Sequence, residues 1–282
     1  MQIGFNLLLW TTHLTDDLLP VCERLKALGY DGVEVPVFEA DPSYYGELGS
    51  KLDDMGLRRT TVGVVASPEA NPMAADAQTR AAGVDHLKWL VDCSQALGAE
   101  VLCGPFTQPL ATFSGSGPTQ SELEHLTESH KAMADHAVGT GLKLAVEPLN
   151  RFECYALNTA QQAADLVKGV AADHYGYLYD TFHFNIEEKN PIEAIHRTAS
   201  AINHIHISEN DRGTPGRGHI DFAAVFNALK SVGYDDWLVV EAFGLALPDL
   251  AAATKVWRPL FDTEDQVASE AITLIQDGWQ AA

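Results

Sequence analysis

The chain has 282 residues, 46% of them hydrophobic, and 18 Lys and Arg stand against 39 Asp and Glu for a formal net charge of -21. That composition can build a large core and is not that of a disordered chain. A surface so acidic repels phosphate backbones and anionic lipid, which excludes nucleic acid and membrane surfaces as partners, and no stretch approaches the roughly 20 apolar residues of a membrane helix.

The opening MQIGFNLLLW has no positively charged start and a short apolar run, so it reads as a first strand rather than a signal peptide. From there, apolar runs alternate with amphipathic stretches. IGFNLLLW precedes DDLLPVCERLKALGY, GVEVPVF precedes YYGELGSKLDDMG, and RRTTVGVVA precedes ADAQTRAAGVDHLKWLVDCSQALG. In the last of these Val84, Leu87, Leu90 and Val91 share one helix face. EVLCGPF follows, then the loop FSGSGPTQSE, where Thr119 or Ser121 can cap the next helix. KLAVEPL, YGYLYD, INHIHIS and DWLVVEAF complete the strands, and TEDQVASEAITLIQDGWQ adds a last helix. ALGYDG, ALGAE and SVGYDDW each place Gly where a helix would end.

About eight repeats of strand then helix predict parallel strands with helices outside, and at this length a (β/α)8 TIM barrel. Nothing divides the chain, so residues 1–282 are expected to form a single barrel domain with a C-terminal helical extension. A doubly wound open sheet is the other arrangement of such repeats. It lacks support, because neither G-x-G-x-x-G nor G-x-x-x-x-G-K-[ST] occurs. The cysteines Cys22, Cys93, Cys103 and Cys154 form no C-x-x-C pair and read as reduced thiols, which suits a cytoplasmic protein.

The C-terminal ends of barrel strands form the active face. KLAVE ends in Glu147, YGYLYD in Asp180 and WLVVE in Glu241, while NHIHI carries His206 near its end. A lone acid there is more often a helix cap or a loop ion pair. Four successive strand ends with three carboxylates and one imidazole are what one divalent cation needs, with Mn²⁺, Mg²⁺ or Co²⁺ suiting the donors. Without a cation, the clustered carboxylates would repel one another and take up protons. His86, His125, His130 and His136 sit in helical stretches without H-E-x-x-H, and no cysteine has a triad partner. His204 reads as a core histidine and Glu34, at the second strand's end, as structural or supporting the ligands.

The stretches EPLNRFE, YDTFHFNIEE, HIHISENDRGTPGRGHIDF and VVEAF resemble the ketose 3-epimerases (the D-tagatose and D-psicose 3-epimerase group) of the xylose isomerase-like barrel superfamily. The resemblance spans nearly the whole chain. It implies that Glu147, Asp180, His206 and Glu241 hold one divalent metal, commonly Mn²⁺ or Co²⁺, with Glu147 and Glu241 also the acid/base pair. It further implies that Glu153 bonds near the substrate's C1 hydroxyl, and that His183 and Arg217 contact its carbonyl-side oxygens. Trp10 and Phe106 stand for the family's aromatic contacts, although the loops after the first, third and fourth strands depart from its pattern. The partner is then a small sugar, and a homodimer or homotetramer is expected, with Val256, Trp257 and Phe261 candidates for its interface.

Inverting C3 of a ketose removes a proton beside a carbonyl and returns it to the other face, so two flanking carboxylates suit the reaction. His183, in the turn past its strand, would lie beside the metal, and Arg217 in a Gly/Pro-rich loop would reach a ligand. Glu187 and Glu188 read as a helix start. The same ligands would also serve an aldose–ketose isomerase of the hydroxypyruvate isomerase type or a keto-inositol dehydratase. A repair endonuclease would want more histidines and a basic groove, and a non-catalytic sugar-binding barrel would not need the flanking pair.

Overall fold

The structure, a computed structural model, describes residues 1–65 and 67–282. Its strands are β1 (Gln2–Asn6), β2 (Gly32–Pro36), β3 (Arg58–Val62), β4 (Val101–Gly104), β5 (Lys143–Val146), β6 (Tyr175–Asp180), β7 (Ile202–Ile207) and β8 (Trp237–Val240). They pair in sequence order, all parallel, and β1 pairs with β8 to close the barrel. Helices α1 (Leu19–Leu28), α2 (Pro42–Asp54), α3 (Ala77–Leu97), α4 (Gln120–His136) and α5 (Ala160–Val170) make the first five crossovers. The sixth carries two helices, α6 (Thr181–Glu187) and α7 (Pro191–Thr198), and α8 (Phe222–Ser231) makes the seventh. After β8 come α9 (Pro248–Thr254) and the closing α10 (Glu264–Ala281).

The expected (β/α)8 barrel is therefore present, with local differences at its rim. The first apolar run ends as strand at Asn6, whose side chain accepts from the Leu8 N–H and turns Leu7–Leu9 into a 3-10 helix. Ala66, the last residue of the predicted third strand, lies outside the described residues. Thr119, not Ser121, caps α4, in a reciprocal capping box with Glu122. Gly29 and Gly98 end α1 and α3 with positive φ.

Two apolar layers follow from strand alternation. The larger lies between strands and helices and includes Phe5, Val33, Val35, Leu144, Tyr177, Ile205 and Val240. The smaller fills the barrel itself, with Val62, Val101, Ala145, Leu178, Trp237 and Val239. Trp237 plugs its lower end, and Gly32 makes the room: a Cβ there would sit 2.7 Å from the indole and 2.3 Å from the Arg58 carbonyl oxygen. The floor is thus closed by hydrocarbon, leaving polar side chains to gather at the opposite end. Val256, expected at an interface, is instead buried in this second layer, while Trp257 beside it is 71% exposed.

Candidate active site

Glu147 directly follows β5, Asp180 is the last residue of β6, His206 lies in β7, and Glu241 directly follows β8. One ligand atom from each lies within 4.8 Å of those of the other three, and all four are buried. Asp180 shows why a buried strand finishes on an acid. Its Oδ1 accepts from the Phe182 N–H at 2.6 Å and caps α6, leaving Oδ2 for the cluster. His206 Nδ1 is buried with no hydrogen-bond partner, 3.4 Å from Glu241 Oε1 and 4.0 Å from Asp180 Oδ2. A buried, unpaired ring nitrogen facing carboxylate oxygens is what a cation-binding imidazole presents. The residues fit one divalent ion held by hard oxygens and a single nitrogen.

The charges are unevenly matched. Burial first, and then the nearby Glu241 charge, hold Glu147 well above the usual carboxylate range. Burial also raises Asp180, to about 6, against the pull of Arg212. For Glu241 the upward push of burial is outweighed by His206 and Arg212, which hold it below its ordinary value. Burial opposes a charge on His206, yet Glu34 and Glu241 hold it well above the ordinary imidazole value. The two candidate proton-transfer groups, Glu147 and Glu241, thus sit in different surroundings.

Above this cluster a pocket of about 320 Å³ opens. Its polar lining includes Glu147, Glu153, His183, Arg212 and Glu241, with Thr12, Asp249 and Thr254, and much of the rest is apolar, including Leu8, Phe38, Val62 and Phe243. His183 lies in α6 rather than in a turn and is fully buried. Its Nδ1 accepts from the backbone N–H of Asn150 at 3.0 Å, so Nε2 carries the proton of the neutral ring. Burial, then the Arg212 charge, keep that ring neutral by lowering its pKa well below the usual value. Nε2 is 3.5 Å from Glu147 Oε1 and 2.8 Å from Arg212 Nη2. With Nε2 protonated, the 2.8 Å approach to Arg212 Nη2 pairs two donors and makes no hydrogen bond, so both N–H groups are left to donate to an acceptor oxygen at the edge of the pocket. Glu153 reaches the same wall, its Oε1 accepting from Asn150 Nδ2 at 2.8 Å.

The structure corrects the arginine. Arg217 is on the outer surface, 63% exposed, and its guanidinium forms a forked pair with Glu270 of α10 at 2.6 and 2.7 Å. Arg212, five positions earlier in the same loop, takes the inward place. Its φ is +68°, and its carbonyl accepts from the Phe243 N–H. Its Nη1 donates to Glu241 Oε2 at 2.6 Å and Asp180 Oδ2 at 3.0 Å, and its guanidinium lies 3.9 Å from the Phe182 ring centroid. Trp10 and Phe106 do not line the pocket. Trp10 packs on Phe5, and Phe106 is fully buried with its carbonyl toward His130. Phe38 and Phe243 supply the aromatic wall instead.

Other acids are tied elsewhere. Glu187 accepts from the Arg151 N–H at 2.8 Å, and Glu188 accepts from the Ala160 N–H at the start of α5. Asn6 went unnoticed in the sequence because its strand seemed to continue to Trp10, yet it follows the same strand-end rule. Its Nδ2 donates to Glu34 at 3.0 Å and Glu241 at 3.1 Å.

A closed parallel barrel with a carboxylate-rich candidate cation site at its C-terminal mouth defines the class. The chain belongs to the xylose isomerase-like TIM barrel family, whose model matches residues 22–263. Within it, the full-length relatives include ketose 3-epimerases. The ketose 3-epimerase of Arthrobacter globiformis is 29% identical, covering 98% of this chain and 96% of its own. The L-ribulose 3-epimerase of Mesorhizobium japonicum is 30% identical over 100% of this chain and 95% of its own. A solved L-ribulose 3-epimerase superposes with a TM-score of 0.92 at 29% identity, over 99% of this chain and 95% of that one. The D-allulose 3-epimerase of Methylomonas sp. in complex with D-allulose gives 0.90 at 25% identity, over 98% and 96%.

Proposed function

We propose that the protein is a divalent-metal-dependent epimerase that inverts C3 of a free ketose of the D-tagatose, D-fructose/D-psicose or L-ribulose type. The observation that carries this reading is the placement of Glu147 and Glu241. They are carboxylates from β5 and β8 that line one pocket and share one candidate cation site. The names of the full-length relatives agree with it.

Glu147, Asp180, His206 and Glu241 would hold the ion, with Mn²⁺ favoured and Co²⁺ or Mg²⁺ possible on the same donors. When bound, it would act as a Lewis acid that polarises the carbonyl and stabilises negative charge beside it. One of the two glutamates takes the C3 proton, and the bonding electrons move toward C2 and its oxygen to give an enediolate. The other, as a carboxylic acid, returns a proton to the opposite face of C3, so configuration alone changes. His183 Nε2–H and the Arg212 guanidinium donate to the oxygens on which charge develops. Glu153, held by Asn150, accepts from a hydroxyl at the end nearer C1. Arg212 is the one Lys or Arg among the pocket-lining residues, and it is engaged by Asp180 and Glu241. That supports an uncharged sugar over a phosphorylated one.

The test strips the protein with chelator, restores Mn²⁺ and incubates it in D₂O with D-fructose, D-tagatose or L-ribulose. Metal-dependent deuterium at C3 together with the C3 epimer is expected by NMR. Deuterium at C1 or C2 with an aldose product would make it an aldose–ketose isomerase instead.

A further inference from the structure

Glu34 ends no ligand set, yet it is fully buried and crowded with donors. It reaches across the barrel from β2 to β7, and the two strands are not neighbours. Its Oε1 lies 2.7 Å from His206 Nε2 and accepts from Asn6 Nδ2 at 3.0 Å. Its Oε2 lies 2.8 Å from His204 Nε2, and accepts from Thr60 Oγ1 at 2.8 Å and Cys103 Sγ at 3.3 Å. Glu34, Cys103, His204 and His206 could be taken for a second metal group, since their ligand atoms also lie within 4.8 Å of one another. The close contacts argue otherwise. Both carboxylate oxygens are already used by hydrogen bonds, and donor–acceptor pairs at 2.7 and 2.8 Å leave no space for an ion between them.

An ionised carboxylate only accepts, so the ring nitrogen facing it must carry a proton. For His206 that nitrogen is Nε2, and in the neutral ring the lone pair is then on Nδ1, the unpartnered atom that faces Asp180 and Glu241. Asn6 extends the same control: its Nδ2 touches both Glu34 and Glu241. We propose that Glu34 is a positioning residue. It holds the His206 ring with Nε2–H toward its own carboxylate, which leaves Nδ1 as the nitrogen that faces the cation site, and through Asn6 it orients Glu241, so that two of the four candidate ligands are aimed before a cation arrives. The inference rests on the reading of Glu147, Asp180, His206 and Glu241 as the cation site.

The Glu34→Gln variant keeps the shape but offers one acceptor oxygen where two imidazole N–H groups need one each. Calorimetric titration of the chelator-stripped proteins with Mn²⁺ should show binding weakened 10- to 100-fold, the usual effect of losing a carboxylate behind a metal-binding histidine. A structural role alone would not move the second readout. In Mg²⁺-loaded protein labelled with ¹⁵N-histidine, His206 should show a proton on Nε2 and none on Nδ1, and the Glu34→Gln variant should lose that Nε2–H signal. Wild-type Mn²⁺ affinity in the variant, or a proton on Nδ1 in the loaded wild type, overturns the proposal. Should the variant not fold, the wild-type spectrum decides alone. Wild-type protein that binds no Mn²⁺ overturns the cation site and this role together. Binding that is tight and indifferent to Glu34→Gln overturns only this role.

Discussion

Replacing Arg212 by methionine, beside the same change at Arg217, separates the two arginines of one loop. Arg212 is buried, and its Nη1 donates to Glu241 at 2.6 Å and Asp180 at 3.0 Å. Arg212→Met keeps much of the packing against Phe182 but leaves two buried carboxylates without their cation. Breaking such a buried pair costs roughly 3–5 kcal/mol, which for a chain of this size is a fall of about 5–8 °C in Tm measured in chelator. Mn²⁺ should restore much of that loss, since it supplies positive charge at the same oxygens. Turnover should still fall by about 10²–10³, because a donor to the developing oxyanion is gone. Arg217→Met removes an exposed pair with Glu270, and such pairs contribute little in water. Its Tm and turnover should match wild type. Calorimetric melts with and without Mn²⁺, and polarimetric assay of C3 epimerisation, read both effects. Arg212→Met with near wild-type turnover, or Arg217→Met with an equal loss, would refute the assignment.

At saturating Mn²⁺, Glu147→Gln and Glu241→Gln should each slow epimerisation by at least about a hundredfold. NMR of the sugar in D₂O would show whether either variant still exchanges C3–H, and two variants that both still epimerise would sink the two-base scheme. Mn²⁺ must displace protons from Glu147, held well above its ordinary value, from Asp180, raised to about 6, and from His206, also raised. Affinity should therefore climb as pH rises through about 6 and beyond, with net proton release at pH 7 seen by calorimetry in buffers of different ionisation enthalpy. His130, fully buried between the Tyr175 hydroxyl and the Phe106 carbonyl, is pushed down by burial to about 4. Its neutral form is favoured in the fold, so this stabilisation is complete above the unfolded value of about 6.5 and declines as pH falls toward about 4, by up to about 3 kcal/mol. Urea unfolding at pH 7 and 4.5 should show a smaller pH dependence in His130→Gln than in wild type.

The alternation of apolar runs and amphipathic stretches determined the barrel, because parallel strands buried on both faces and helices buried on one leave those periods in any chain. The same local logic placed Glu147, Asp180, His206 and Glu241 at one rim. A strand end is a local feature, and in a barrel all such ends share a face. Glu153 and His183 could be found from the motifs that carry them. What tertiary structure decided lies where direction depends on distant partners. Arg212 turns inward because its carbonyl is held by the Phe243 N–H and its guanidinium meets Asp180 and Glu241. Arg217, equally placed in a glycine-rich loop, turns outward to Glu270. The aromatic wall fell to Phe38 and Phe243 rather than Trp10 and Phe106, because loop paths rather than residue types set what lines the pocket. Glu34 lies 170 residues from His204 and 172 from His206 in the chain, and only closure of the barrel brings their polar atoms within hydrogen-bonding distance.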